Sequence, residues 1–276
     1  MKSIFQRFDR EVKNVGRIFA IMSGKGGVGK STLAAALAEC YARREMRTVL
    51  LDGDVGLRCA DLLLGMQDRV IYDLGDLAEK NCTLEQALVP HPALPSLFLV
   101  AAPQMISASD IKRKELGRII TQLSDSADVL ILDAPAGIGK GLKNLLGAAA
   151  EPVIVATPDD VCLRDAERLN MLLTQREEPR PVVVFNRIRK TLVLTGEMRT
   201  PADMAASLDM PLMGAIPDSP EVYHALLRHK SVLQCGDRRV VKAIERFAAR
   251  LLGEDVTQER YKSNFIMRLF AEGGGA

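Results

Sequence analysis

Ten residues, Ser23 to Thr32, read SGKGGVGKST and gather the groups that hold a nucleotide's phosphates. Gly24, Gly26, Gly27 and Gly29 let backbone N–H groups turn inward with no side chain in the way, and Val28 and Thr32 complete the stretch. The spacing Gly24-x4-Gly29-Lys30-Ser31 is that of a P-loop. Lys30 is placed to reach the β- and γ-phosphates, and the Ser31 hydroxyl to serve Mg²⁺. A second lysine, Lys25, is one more than such a cradle needs. Two acidic clusters follow: DGDVGLR from Asp52, with Asp54, and DAPAG from Asp133 through Pro135 to Gly137. Asn186, in FNR, and Pro217-Asp218 are further polar positions that close apolar runs.

These groups act together only if elements of the chain bring them to one place. Seven short apolar runs, 17–22, 47–52, 97–102, 128–133, 152–157, 181–186 and 211–217, are continuous rather than alternating. That pattern predicts strands covered on both faces. Amphipathic stretches at 32–44, 115–126, 163–175 and roughly 237–253 predict helices between or after them. The alternation predicts an α/β fold with a doubly wound, mostly parallel sheet. In such a sheet ligands bind at the C-terminal strand ends, where Asp52, Asp54, Asp133 and Asn186 fall. The reading is a single domain over 17–253, with an N-terminal extension, 1–16, and a C-terminal tail, 254–276.

GKGGVGKS, with its extra lysine, resembles the signature of the MinD/ParA family of deviant Walker A P-loop ATPases. The resemblance implies ATP and Mg²⁺ as ligands and an ATP-dependent homodimer in which Lys25 crosses to the partner's phosphates, as an arginine finger does. It implies that Asp54 positions the attacking water, that Asp52 lies near the magnesium shell, and that Asp133 holds the ion through water. Asp133, Pro135 and Gly137 then form the second switch, and Asn186, Pro217 and Asp218 line the base. D-G-D-V-G-L-R, D-A-P-A-G, L-R-D-A-E-R and the tail narrow the likeness to the MinD branch, covering residues from about 17 to 270. That branch implies slow, dimer-dependent ATP hydrolysis in placing the cell-division septum. It implies that the helix with Asp165 and Glu167 docks a MinC-like division inhibitor and a MinE-like or other topological regulator. Two positions depart from the branch: Cys59 stands where Asn is common, and residues 1–16 precede the first strand.

On a helix, Tyr261, Phe265, Ile266, Leu269 and Phe270 form one apolar stripe, flanked by Arg260, Lys262 and Arg268. Bulky apolar groups with cationic neighbours predict an amphipathic helix lying in an anionic membrane surface. Ile4, Phe8 and Val12, beside Phe5, repeat the pattern at the other end.

Composition narrows the classes further. The 37 basic and 35 acidic residues leave a net charge of +2, so no broad basic field argues for nucleic acid, as a chromosome-partitioning relative would need. The five cysteines, at 40, 59, 82, 162 and 235, include no CxxC pair, which counts against an iron–sulfur carrier and for reduced cytoplasmic thiols. His91, His224 and His229 lack metal-ligand spacing. No apolar run approaches the roughly 18 residues of a membrane span, and no secretory signal is visible, so the expected location is the cytoplasm and the inner face of the cell membrane. The competing readings are a flagellar-number regulator of the same family and a nucleotide-binding scaffold with little turnover.

Overall fold

The structure, a computed structural model, describes residues 16–55, 58–103, 111–145, 150–257, 259 and 261. It opens with β1 (Arg17–Met22), α1 (Lys30–Ala42) and β2 (Thr48–Asp52). Short helices α2 (Ala60–Leu63), α3 (Leu74–Glu79) and α4 (Leu84–Ala87) lead to β3 (Val89–Pro90) and β4 (Leu97–Val100). Then come α5 (Arg113–Asp125), β5 (Val129–Asp133), α6 (Lys140–Leu145), β6 (Glu151–Ala156), α7 (Asp160–Gln175) and β7 (Val182–Ile188). The chain continues with α8 (Lys190–Thr195), α9 (Pro201–Ser207), β8 (Leu212–Pro217), α10 (Pro220–Leu227) and α11 (Arg238–Leu251).

The strands form one sheet in the order β3-β4-β2-β5-β1-β6-β7-β8. Every described pair is parallel except β3 with β4. Each of the seven expected runs is a strand, because helices cover both faces and apolar side chains serve most positions. Val49–Leu51 and Val129–Leu132 are fully buried. The edge strand β3 was not legible as one, since it is two residues long and contains Pro90. The central strand β1 lies between β5 and β6, the place where the winding changes direction and where ligands bind in such sheets.

The longer helices bury the expected stripes. In α5 these are Leu116, Ile119, Ile120 and Leu123; in α11, Val240, Ile244, Phe247 and Leu251. Asp237 caps α11 by accepting from the Arg239 N–H, and Gly253, at φ 86, takes the left-handed turn just beyond it. α1 is buried on nearly all sides, between the sheet and α11. There Tyr41 stacks on Phe19 and donates its hydroxyl to the Ala248 carbonyl at 3.0 Å. This packing fixes the phosphate loop between two rigid elements, β1 and α1.

Candidate functional site

The loop after β1 turns through two left-handed glycines, Gly27 at φ 79 and Gly29 at φ 93, a conformation that disfavours any side chain. α1 starts at Lys30, two residues before the expected position, with Gly29 as its N-cap. Lys30, Ser31 and Thr32 therefore stand in the first turn, whose N–H groups have no partner within the helix and favour an anion. Ser23 is buried and donates its hydroxyl to the Lys25 carbonyl at 2.9 Å, closing the loop on itself.

The two lysines meet opposite surroundings. Lys30 is 5% exposed. Its Nζ lies 2.5 Å from Asp133 Oδ1, 3.7 Å from Asp54 Oδ2 and 3.2 Å from Ser31 Oγ. Lys25 is exposed. Its charge is felt at Asp159, the N-cap of α7. Burial pushes the Asp159 carboxyl up. Hydrogen bonds from the Thr157 hydroxyl and the Cys162 N–H, together with Lys25, outweigh that and hold it below its ordinary range.

The acids converge because β2 and β5 are neighbours in register, Asp52 beside Asp133. Both carboxyls are buried. Burial first, then the charge of Asp133, pushes Asp52 up to about 7, against the pull of the Ala60 and Asp54 N–H groups that donate to it. Burial likewise raises Asp133 against the pull of Lys30. Asp133 Oδ2 is buried and accepts no hydrogen bond among the described residues. A buried carboxylate oxygen without a donor, beside the Ser31 hydroxyl, fits a hydrated divalent cation. The segment after β5 is tied to the loop: the Ala134 N–H donates to the Ile21 carbonyl, and the Gly137 N–H to the Ser23 carbonyl at 2.9 Å. Gly137 is left-handed, at φ 81, and Pro135 lies between them. In the segment after β2, Gly56 and Leu57 lie outside the described residues.

A cleft of about 700 Å³ opens from Gly29 and Thr32, and Asn186, Pro217 and Asp218 line it together. Sequence reasoning missed Thr157, Asp159 and Arg187, which share its wall. Their signal was weak, since Thr157 merely ends an apolar run and Asp159 follows it. Asp165 and Glu167 are on α7; Asp165 is half-buried against Gly24, and Glu167 is exposed. Of the tail, Phe265, Ile266, Leu269 and Phe270 lie outside the described residues, as do Ile4, Phe5, Phe8 and Val12. Tyr261 is half-buried and packs on the core of the domain.

This geometry agrees with known proteins. The sequence matches the ParA family, described as NUBPL iron-transfer P-loop NTPase, over residues 14–252. The septum site-determining protein MinD of Bacillus subtilis is 36% identical over 245 residues, 88% of this chain and 91% of that protein. Its counterpart in Synechocystis sp. is 35% identical, covering 88% of this chain and 91% of that one. The chain belongs to the MinD/ParA family. Within it the septum site-determining MinD proteins are its relatives, and among solved structures the MinD cell division protein of Aquifex aeolicus has a TM-score of 0.81 at 30% identity. That match covers 89% of this chain and all of the other. MinD in the MinC:MinD complex from the same organism scores 0.82 at 31% identity, covering 90% of this chain and 100% of that one. MinD/ParA members are P-loop ATPases, and this chain carries the loop, the paired acids and a cleft that opens beside them. The words iron-transfer describe relatives. Here none of the five cysteines forms a disulfide among the described residues.

Proposed function

We propose that this protein is a slow ATPase that dimerises on ATP, associates with the inner face of the cell membrane, and helps place the division septum by recruiting a MinC-like inhibitor. The observation that carries this reading is the contrast between the two lysines. Lys30 is buried among the acids of its own site, whereas Lys25 is exposed on the outer turn of the loop. A cation so placed suits phosphates that approach from a second copy.

In this reading Lys30 leaves Asp133 and Asp54 for the β- and γ-phosphates when ATP binds. Ser31 and Asp133 would hold Mg²⁺, which would neutralise charge on the phosphates. Asp54, released from Lys30, orients the attacking water. Lys25 of each copy stabilises the charge that develops at the other's γ-phosphate, so a lone copy turns over little. MinD of Pyrococcus horikoshii, which shares the fold at 22% identity, was solved with Mg-ADP, in keeping with these ligands. Gly137, bonded to the P-loop through Ser23, is placed to report the γ-phosphate.

Asp165 and Glu167 on α7 are the positions offered to the inhibitor or a MinE-like regulator, and the Aquifex relative was solved with MinC. The tail supplies the membrane contact, through its apolar stripe and the cationic residues Arg260, Lys262 and Arg268 beside it. Burying Phe265, Ile266, Leu269 and Phe270 offers about 6–12 kcal/mol at full burial. Partial insertion and the ordering of the helix remove much of it. One tail holds weakly, and two on a dimer hold far better.

Co-sedimentation with anionic liposomes tests the reading. The full chain is expected to pellet with ATP but not with ADP, and Lys25→Ala to stay in the supernatant with either. Pelleting that ignores nucleotide would sink the switch.

A further inference from the structure

Strand β7 gains a residue against its neighbour. Phe185 pairs with Ala215 and Ile188 with Pro217, so three steps along β7 match two along β8. The extra residue falls at Asn186-Arg187, and Arg187 has φ 60, a left-handed conformation that a long side chain disfavours. Such bulges re-aim side chains beside functional sites.

Here both side chains turn to the phosphate loop. Asn186 Nδ2 donates to the Val28 carbonyl at 2.8 Å, and the Arg187 guanidinium donates to the Gly27 carbonyl at 2.8 Å. The Arg187 N–H donates to Asn186 Oδ1 at 3.0 Å and locks the pair together. Gly29 leaves the room for this, since a Cβ there would lie 2.3 Å from Asn186 Nδ2. In a trans peptide the C=O and N–H point in opposite directions. Drawing the Gly27 and Val28 carbonyls toward β7 therefore aims the Val28 and Gly29 N–H groups away from it, into the turn of the loop.

We propose that Arg187 is a positioning residue for nucleotide: through the bulge in β7 it holds the Gly27 carbonyl and so presets the Val28 N–H for the phosphates. The inference rests on the nucleotide-binding reading above and adds a residue that reading did not use. It accounts for a strained arginine at a strand end, where Asn186 alone would need no left-handed neighbour. A loop set in advance serves ADP and ATP alike, because both carry the α- and β-phosphates it cradles. Ground state and transition state benefit equally, so affinity changes and kcat does not.

The test is calorimetric titration of the full chain with Mg-ADP and with a slowly hydrolysed ATP analogue, using wild type, Arg187→Gly and Arg187→Lys. Glycine adopts the left-handed conformation freely, so Arg187→Gly removes the guanidinium and keeps the bulge. Loss of one charge-assisted hydrogen bond should raise both dissociation constants about tenfold and change kcat less than about twofold. The melting temperature without nucleotide should not fall, and lysine should restore part of the affinity. Equal affinity for wild type and Arg187→Gly overturns the proposal, as does a fall in melting temperature that accounts for the weaker binding. Wild-type protein that binds neither nucleotide sinks the nucleotide reading itself, and this inference with it.

Discussion

Asp52 and Asp133 stand side by side at the ends of two paired strands, both buried, with Lys30 as their nearest cation. Burial in a dry site disfavours an ionised carboxylate, and a second like charge beside it adds to the effect. Asp52 is therefore held up at about 7, whereas in an unfolded chain its pKa is about 4. The folded state binds a proton on Asp52 between those values that the unfolded state does not. Its stability contribution is full below about pH 4 and is lost as pH rises through about 7, by at most about 1.4 kcal/mol per pH unit. Thermal melts of the nucleotide-free protein should show a lower melting temperature at pH 8 than at pH 6, with the slope flattened in Asp52→Asn. Mg-ADP, which favours the ionised carboxylates, should raise the melting temperature more at pH 8 than at pH 6. An equal rise at both would separate Asp52 from the magnesium shell.

At the scale of elements, the phosphate loop is held on three sides: by β7 through Asn186 and Arg187, by the second switch through Gly137, and by α7. The α7 contact is the closest. A Cβ on Gly24 would lie 2.6 Å from the Asp165 Cβ and 2.7 Å from the Asp165 carbonyl oxygen, while one on Gly26 meets nothing within 4 Å. Helix backbone yields little, so Gly24→Ala should destabilise the fold by about 1–3 kcal/mol and weaken nucleotide binding. Gly26→Ala should leave the melting temperature near wild type. Equal melting temperatures for the two variants would refute the contact. The same geometry marks what could be read from sequence. β1, the P-loop and α1 were legible because strand, glycines and helix fall in a local order that the chemistry demands. Asp52 and Asp133 were legible as strand-end acids, but not as neighbours, since their pairing is a property of sheet order. The bulge at Arg187 left no local signal, because nothing in the run PVVVFNR marks a left-handed residue. The Gly24–Asp165 approach is long-range and equally silent. Short helices such as α8 and α9, six and seven residues long, carry too few turns to show a period.

For the whole molecule, the relevant question is where the tail leaves the body. Arg250, near the end of α11, donates to three carbonyls: Val256 at 3.0 Å, Thr257 at 2.8 Å, and Met213 of strand β8 at 2.8 Å. Glu259 lies 3.7 Å from Lys190, and Tyr261 packs on the core. Burial, with Glu259 nearby, pushes the Tyr261 phenol up to about 12, as expected of a docked ring. Tyr261, counted in the apolar stripe by its spacing, thus serves the protein body, and the segment through Thr257 is pinned to α11 and β8. The proposed anchor then begins beyond Tyr261 rather than at Gly253. A pinned root shortens the tether between the two anchors of a dimer, and effective concentration falls as roughly the −3/2 power of tether length. Arg250→Ala frees several residues at each root. Avidity for anionic liposomes in the presence of ATP should fall by about two- to fivefold. A chain ending after Tyr261 should lose liposome binding outright, and its ATP-dependent dimerisation should survive, since Lys25 and the base cleft lie elsewhere. Flotation of both variants beside wild type, with dimer content read by light scattering, separates the two effects. If Arg250→Ala binds liposomes as tightly as wild type, the pinned root has no part in avidity. If the shortened chain still floats, the membrane contact lies elsewhere in the chain.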